Sequence, residues 1–338
     1  MPADPDCPPV HFSALRDTIM TSINTNTSAM TALQSLSMIN SNLDETQNRI
    51  STGFRVGAAS DNAAYWSIAT TMRSDNKALG AVEDALGLGQ AKVDTAYTGM
   101  KAAIDVVDEM KAKLVAAREP GVDKTKIQAE ITELQGQLTS IATSASFSGE
   151  NWLSVDSTAP ANATKSVVAS FNRDSAGAVS VGTIEIDTSK TKLFDAATDA
   201  ASAGTGILDG KYSAANGSYL ATQTDPGFTV STLNISALTD AAGDVTTLNS
   251  YISGVDDALQ RMTTAASNLG AAKSRMDIQS EFVSNLRDSI EKGVGTLVDA
   301  DMTEESTRLK ALQTQQQLGV QALSIANSSS QSLLSLFR

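Results

Sequence analysis

YWSIATTMRSDNKALGAVEDALGLGQAKVDTAYTGMKAAIDVVDEMKAKL, residues 65–114, is the stretch that decides the fold. Its mostly apolar or small positions keep one seven-residue frame through Tyr65, Ile68, Met72, Asp75, Leu79, Val82, Leu86, Gly89, Val93, Ala96, Met100, Ala103, Val107, Met110 and Leu114. Spacing of 3 and 4 kept up for that long lays one stripe along one side of a helix, which has to bury it against other helices. At 1.5 Å per residue the helix is a rod of about 80 Å, and so long a heptad repeat predicts a left-handed supercoil. Asp61 is placed to cap its first turn, after a loop punctuated by Gly53 and Gly57.

Partners for this stripe follow along the chain. Pro120 and Gly121 end the rod, and Asp123 caps a shorter helix with Ile127, Ile131, Leu134, Leu138 and Ile141 on the same repeat. So short a connection folds the second helix back antiparallel on the first. A third long helix carries Leu248, Ile252, Val255, Leu259, Met262, Ala266, Leu269, Met276, Val283, Ile290, Val294 and Leu297, with Lys273, Ser280 and Arg287 as interruptions. One antiparallel bundle satisfies all three stripes.

Between about Phe147 and Gly243 the heptads vanish, and Gly, Ser, Thr, Asp and Asn dominate. Short alternating stretches at Ser166–Phe171, Val179–Asp187, Tyr219–Thr222 and Phe228–Leu233 predict strands. Asn216-Gly217 and Asp225-Pro226-Gly227 predict hairpin turns.

Both ends are amphipathic helices, from about Met30 to Ile50 and from about Glu305 to Phe337. In the first, Leu33, Leu36, Leu43 and Ile50 share a frame with Asn40 and Gln47 in its gaps. In the second, Leu309, Leu312, Leu323, Ala326, Leu333 and Phe337 share one, with Gln316, Gly319 and Ser330 as weak steps. Each flawed stripe is a poor partner when alone. The polar gaps are expected to keep the ends from closing on each other within one chain, leaving the stripes for neighbours.

Composition narrows the function. Aromatic residues are 4% of the chain, which suits long thin-seamed helices better than a bulky core. A net charge of −13 excludes nucleic acid and anionic membrane surfaces as partners, since phosphates are bound by Lys and Arg. The one Cys, Cys7, and the one His, His11, fall within the first nineteen residues, so the body offers no thiol nucleophile, imidazole base, disulfide or Cys/His metal site. No cofactor is expected and no enzyme. Adjacent carboxylates at Glu83-Asp84, Asp108-Glu109 and Glu304-Glu305 point apart on a helix and read as solvated faces. No run of eighteen apolar residues spans a membrane.

The fold expected is mainly α with a small β-rich insert: a long antiparallel coiled-coil bundle built by N- and C-terminal segments, with a central outer domain. The segments are 1–19, an extension expected to be a start-site artefact ahead of Met20; 20–60, an N-terminal inner helix and loop; 61–148, N-terminal rod helices; 149–244, a variable β-rich outer domain; 245–298, a C-terminal rod helix; and 299–338, a C-terminal inner helix. N-terminal sequencing of the native protein tests the first of these, since Pro2 or Ala3 at the terminus contradicts it.

RISTGFRVGAASDNAAYWSIA at 49–69 resembles the signature that follows the first helix of bacterial flagellins. IQAEI at 127–131, FSGENWL at 147–153, LGAAKSRMD at 269–277, DADMTEES at 299–306 and the closing SLLSLFR at 332–338 are similar to later landmarks of that family. The likeness is to flagellins of rhizobial or agrobacterial type. It implies a structural subunit that polymerises into the extracellular flagellar filament for swimming, with the junction between hook and filament as the alternative place for such a chain. A chemotaxis receptor, also a long antiparallel coiled coil, lacks the β-rich insert found here at the turn.

Partners implied by the resemblance are copies of the chain itself, sister flagellins, the flagellar type III export apparatus, an export chaperone, the filament cap and the hook-associated junction proteins. The interface residues it implies are Leu33, Leu36, Leu43, Arg49, Ile50, Leu309, Leu312, Leu323, Leu333, Leu334, Leu336, Phe337 and Arg338. Both ends are expected to be largely disordered in the monomer and helical in the polymer. Departures from the family's pattern carry a second expectation. Where flagellins sensed by the animal toll-like receptor have Arg followed by Glu and Leu, this chain has Asp105, Val106, Val107, Asp108, Glu109 and Met110. Where those sensed by plant receptor kinases have Lys-Asp-Asp and a Gly, it has Ser60, Asp61, Asn62 and Tyr65. Both substitutions resemble evasive flagellins.

Overall fold

The computed structural model describes residues 26–156, 163–174, 176–196, 205–220 and 227–336, with side chains of the last helix as far as 328. Cys7, His11, Phe337 and Arg338 lie outside the described residues, as does the Asp225-Pro226 part of the second predicted turn. In chain order the α-helices are α1 (Thr27–Thr52), α2 (Ala63–Ala116), α3 (Lys124–Ser144), α4 (Ala242–Val298) and α5 (Met302–Leu336). The chain divides into two compact units, Met1–Ala69 with Val294–Arg338, and Thr70–Gly293.

The second unit is the antiparallel bundle the heptads require. Every frame position from Leu79 to Leu114 is buried, and Leu248, Val255, Met262, Leu269, Met276 and Val283 of α4 bury with them. The frame does not extend to the start of α2, where Tyr65 and Ile68 are exposed and Ala69 is buried instead. The alternate seam positions of α4 are Ala258, Ala265 and Ala272, one residue before the expected Leu259, Ala266 and Lys273.

That shift explains the polar interruptions. Lys273 and Arg287 are seam-flanking cations that reach across to α2: Lys273 Nζ lies 2.5 Å from Asp94, and Arg287 pairs with Glu83 and donates to Asn76 Oδ1 at 3.1 Å. Gln90 donates to Asp277 at 2.9 Å, and Lys111 lies 2.5 Å from Asp256. Partner numbers rise along α2 as they fall along α4, so these contacts form one antiparallel ladder. Exposed pairs contribute little energy each. Against a seam rich in Ala and Gly, which specifies register weakly, their fixed positions select one alignment. α3 adds Ile131 and Leu138 to the core, and Asp123 caps it by accepting from the Thr125 amide at 3.1 Å. Gly121 turns the chain at φ 84°, and its amide donates to Asp240 at 3.2 Å, the same carboxylate that Lys124 pairs with.

The β-rich segment holds short pairs: β1 (Ser146–Phe147) with β2 (Glu150–Asn151), and β3 (Ser154–Val155) parallel to β6 (Phe194–Asp195). β4 (Thr164–Arg173) forms an antiparallel hairpin with β5 (Val179–Asp187), bulged between Val168 and Ser170. β7 (Lys211–Ser213) pairs with β8 (Gly227–Thr229). Val179–Asp187 is where the alternation placed it. Tyr219 makes only a bridge to Tyr212, so the strand expected at Tyr219–Thr222 is not formed at its described residues, and the one at Phe228–Leu233 shortens to Gly227–Thr229. Lys211–Ser213 carried no alternation long enough to read.

The hairpin packs Val167, Ala169, Ile184 and Ile186 into the bundle core. It does so because Gly89 leaves room, since a Cβ there would sit 2.3 Å from Val167 Cγ1. Gly89→Val is therefore expected to lift β4 from α2 and cost about 1–3 kcal/mol by overpacking. Thermal unfolding of the soluble chain checks this, with an unchanged midpoint as the contrary result.

Candidate assembly surface

In the other unit α1 and α5 run antiparallel against each other. Asn26 caps α1 by accepting from the Ala29 amide at 3.0 Å, and its Nδ2 donates to the Ala326 carbonyl at 3.0 Å. At the other end of the pair Arg49 bonds Glu305 Oε1 at 3.1 Å and Glu45 at 2.5 Å. Gly53 closes α1 at φ 76°, the left-handed turn that suits Gly, and the chain then bridges at Phe54 to Asp299. The Arg55 amide donates to the Val298 carbonyl at 2.7 Å. Asp301 caps α5 by accepting from the Thr303 amide at 2.8 Å.

The α5 frame is the one the sequence marks. Glu305 and Leu312 are buried, and Leu309, Gln316, Gly319, Leu323 and Ala326 are half-buried along one line. On α1 the line is Ala29, Ala32, Leu36, Ile39, Leu43, Thr46 and Ile50. Leu36, Leu43 and Ile50 are as expected, and Arg49 is half-buried beside them. Leu33 is a correction: it is 58% exposed, because Ala32 and Ile39, one step earlier than Leu33 and Asn40, face α5. Gly319 lies against that line, with Leu36 Cδ1 3.3 Å and Ile39 Cδ1 3.9 Å from where its Cβ would stand.

The polar gaps do not hold the ends apart. Gln316 donates to Asn40 Oδ1 at 2.7 Å, so the two expected flaws satisfy one another at the edge of the pair, and Gln47 is simply exposed. Leu333, Leu334 and Leu336 lie on the helical backbone of α5; their side chains, and that of Ser330, are outside the described residues. Glu304 is exposed while its neighbour Glu305 is 5% exposed, as adjacent helical positions require. Glu305 Oε2 finds no hydrogen-bond partner among the described residues.

The residues aligned with the receptor-sensed stretches have local structural work. Asp61 does not cap α2. Asn62 does, accepting from the amides of Ala64 and Tyr65 at 3.1 Å, while Asp61 Oδ2 accepts from the amides of Gly57 and Ala58 at 3.0 Å. Those backbone donors, Ala58 first, hold the Asp61 carboxyl below the ordinary carboxylate range. The Thr303 hydroxyl, then the Thr303 and Glu304 amides, do the same for Asp301. Both groups tighten their turns above the ordinary range and release them as pH falls through the lowered values. Ser60 is exposed beside them. On α2, Asp105, Asp108 and Glu109 are exposed and Val106 is buried.

One signal went unread in the sequence. No Asp, Glu, Lys, Arg or His occurs from Thr27 to Leu43, nor from Ala311 to Phe337, in a chain of net charge −13. Yet Met30, Leu33, Met38, Leu318, Val320 and Ile325 of these runs are exposed, Ile325 at 69%. Charge-free helical runs with apolar residues turned to solvent are the kind of surface that other protein covers. Among the described residues no helix is long and apolar enough to cross a membrane.

The described chain is thus a helical bundle with a β-rich insert in one unit and, in the other, a pair of terminal helices whose outer runs carry no charge, the build of a structural subunit. Residues 23–158 match the family model described as the bacterial flagellin N-terminal helical region, and residues 252–337 that of the C-terminal helical region. Flagellin C of Rhizobium meliloti (strain 1021) is 55% identical over 328 residues, and Flagellin A of Rhizobium meliloti is 50% identical over 401 residues. The Flagellin of Brucella melitensis biotype 1 is 48% identical over 320 residues. Each alignment covers 94% of this chain and 100% of the relative. The chain belongs to the bacterial flagellin family. It is a structural subunit of the extracellular flagellar filament, and nothing among these relatives favours the hook junction.

Proposed function

We propose that filament assembly runs through the α1 and α5 pair, with Leu33, Leu333, Leu334, Leu336, Phe337 and Arg338 meeting neighbouring subunits while Leu309 and Leu323 line the seam between the two helices. Leu36, Leu43, Arg49, Ile50 and Leu312 hold the pair together. The observation that carries this reading is the exposure of apolar side chains along two charge-free runs at opposite ends of the sequence. The subunit has no catalytic role. It passes through the type III export apparatus with an export chaperone, adds beneath the filament cap, and meets the junction proteins at the hook. Several relatives are sister flagellins of one organism, which supports copolymerisation with sister chains. Seeding the purified protein and viewing it by negative-stain microscopy tests the reading: filaments are expected, and persistent monomer contradicts it.

The β-rich segment is proposed as the outer domain. The exposed acidic run at Asp105, Asp108 and Glu109, together with Ser60, Asp61, Asn62 and Tyr65, is proposed to make the chain a poor agonist of both the animal and the plant flagellin receptors. In reporter cells its dose curve is expected to lie well to the right of a strong flagellin's, and equal potency contradicts the proposal.

A further inference from the structure

We propose that Lys192 and Asp195 condense into an amide, a covalent staple that forms within the β-rich segment once the chain has folded. Among the described ion pairs theirs alone has both side chains buried, 6% and 0% exposed. Lys192 Nζ lies 2.7 Å from Asp195 Oδ2 and donates to Thr205 Oγ1 at 2.5 Å. The Thr205 hydroxyl donates in turn to the same Asp195 oxygen. Amine, hydroxyl and carboxyl thus close one ring of contacts away from water.

The backbone holds these groups in place. The Ile207 and Leu208 amides donate to the Lys192 and Leu193 carbonyls at 3.1 and 2.9 Å, and the Asp195 amide donates to Asp209 Oδ2 at 2.7 Å. Leu193, Ile207 and Leu208 are themselves buried. Reacting groups fixed in contact need no encounter, which removes much of the barrier to a reaction that is slow between free partners. Asp209 Oδ1 is buried with no hydrogen-bond partner among the described residues, and burial raises its carboxyl above the ordinary range. Burial thus disfavours a second anion beside the pair, where it would hold the proton on the amine.

An ammonium has no lone pair, so a proton has to leave before the nitrogen can attack. Thr205 supplies the route: its hydroxyl takes a proton from Nζ and passes its own to Asp195 Oδ2, leaving an amine beside a carboxylic acid. Removing both charges is favoured in a site closed to water, where each charge is costly. The nitrogen lone pair then adds to Cγ, the C–O bond to the protonated oxygen breaks, and that hydroxyl leaves with a proton from nitrogen as water. One ammonium and one carboxylate become one amide and one water, with nothing oxidised or reduced. Lys190 and Asp187 repeat the same spacing at 3.0 Å, but with side chains 72% and 40% exposed they stay an ion pair.

Full-length protein, purified folded, is then denatured, cut with trypsin and weighed by mass spectrometry. The expected product is the peptide Thr191–Lys211, cut after Lys190, uncut after Lys192 and lighter by one water. Lys192→Arg removes the amine nucleophile and is expected to restore the full mass. Cutting after Lys192, with Leu193–Lys211 at full mass, overturns the staple. So does a lost water that persists in Lys192→Arg or that hydroxylamine releases, since that places it in a succinimide at Asp209-Gly210. The relay is tested at Thr205. Thr205→Val is expected to be stapled in a small fraction of chains at a time when Thr205→Ser is stapled throughout, and equal fractions overturn the part given to the hydroxyl.

Discussion

Deleting Leu333–Arg338 is expected to leave a soluble chain that does not polymerise on seeds. The bundle of α2, α3 and α4 draws its core from Leu79–Leu114, Ile131, Leu138 and Leu248–Val283, so the truncation takes nothing from its stability. What it removes is the densest apolar cluster of the charge-free run, Leu333, Leu334, Leu336 and Phe337. At about 1.5–3 kcal/mol for each buried side chain, roughly 6–12 kcal/mol of association per subunit is lost. Ordering α5 costs about 1–2 kcal/mol for each residue fixed, so the loss of this burial weakens what offsets that cost. Sedimentation and negative-stain microscopy read the outcome, and normal filaments from the truncated chain contradict it.

Arg49→Met has the second large effect expected. Glu305 sits in the seam with its side chain 7% exposed, and the Arg49 guanidinium is its ion-pair partner at 3.1 Å. Without it a buried carboxylate loses its counter-charge, at a cost of about 3 kcal/mol or more. Replacing both partners removes the buried charge along with its partner, so Arg49→Met with Glu305→Leu is expected to recover most of the loss. Glu45, on the solvent side of Arg49, contributes little because its pair is exposed. The thermal midpoint of filament dissociation measures all three chains. A double variant as weak as the single one would show that Arg49 acts through packing.

Reading the bundle from sequence succeeds because a heptad of apolar or small residues kept over eleven consecutive frame positions, Leu79 to Leu114, admits one face. The frame of α5 was legible for the same reason, down to Gln316 and Gly319 as weak steps. On α1 two frames one residue apart compete. Leu33 outweighs Ala32 by volume, but the line turned toward α5 runs through Ala32, Leu36 and Ile39, and nothing local to α1 reveals that. Lys273 and Arg287 looked like faults because their meaning lies in Asp94 and Glu83, far away in the chain. The β-rich segment was partly legible: β4 and β5 form a local hairpin with clear alternation. β3 with β6 and β7 with β8 pair two or three residues across long separations, and so short a strand leaves no period to read. Of the assembly surface, the stripes were visible and their roles were not. The better signal was the absence of charge at both ends.

The chain of α1 and α5 has few fully buried residues. Between Thr27 and Ile39 none is buried, and beyond Leu312 none of the described α5 side chains is. Helices with so thin a seam are marginal by themselves, and the proposed assembly supplies their second wall from neighbours. Amide hydrogen exchange across residues 27–52 and 302–336, in the soluble chain and in the filament, tests this most directly. Rapid exchange in the soluble chain and strong protection in the filament is the predicted result, and equal protection in both states would contradict assembly-driven ordering of the ends.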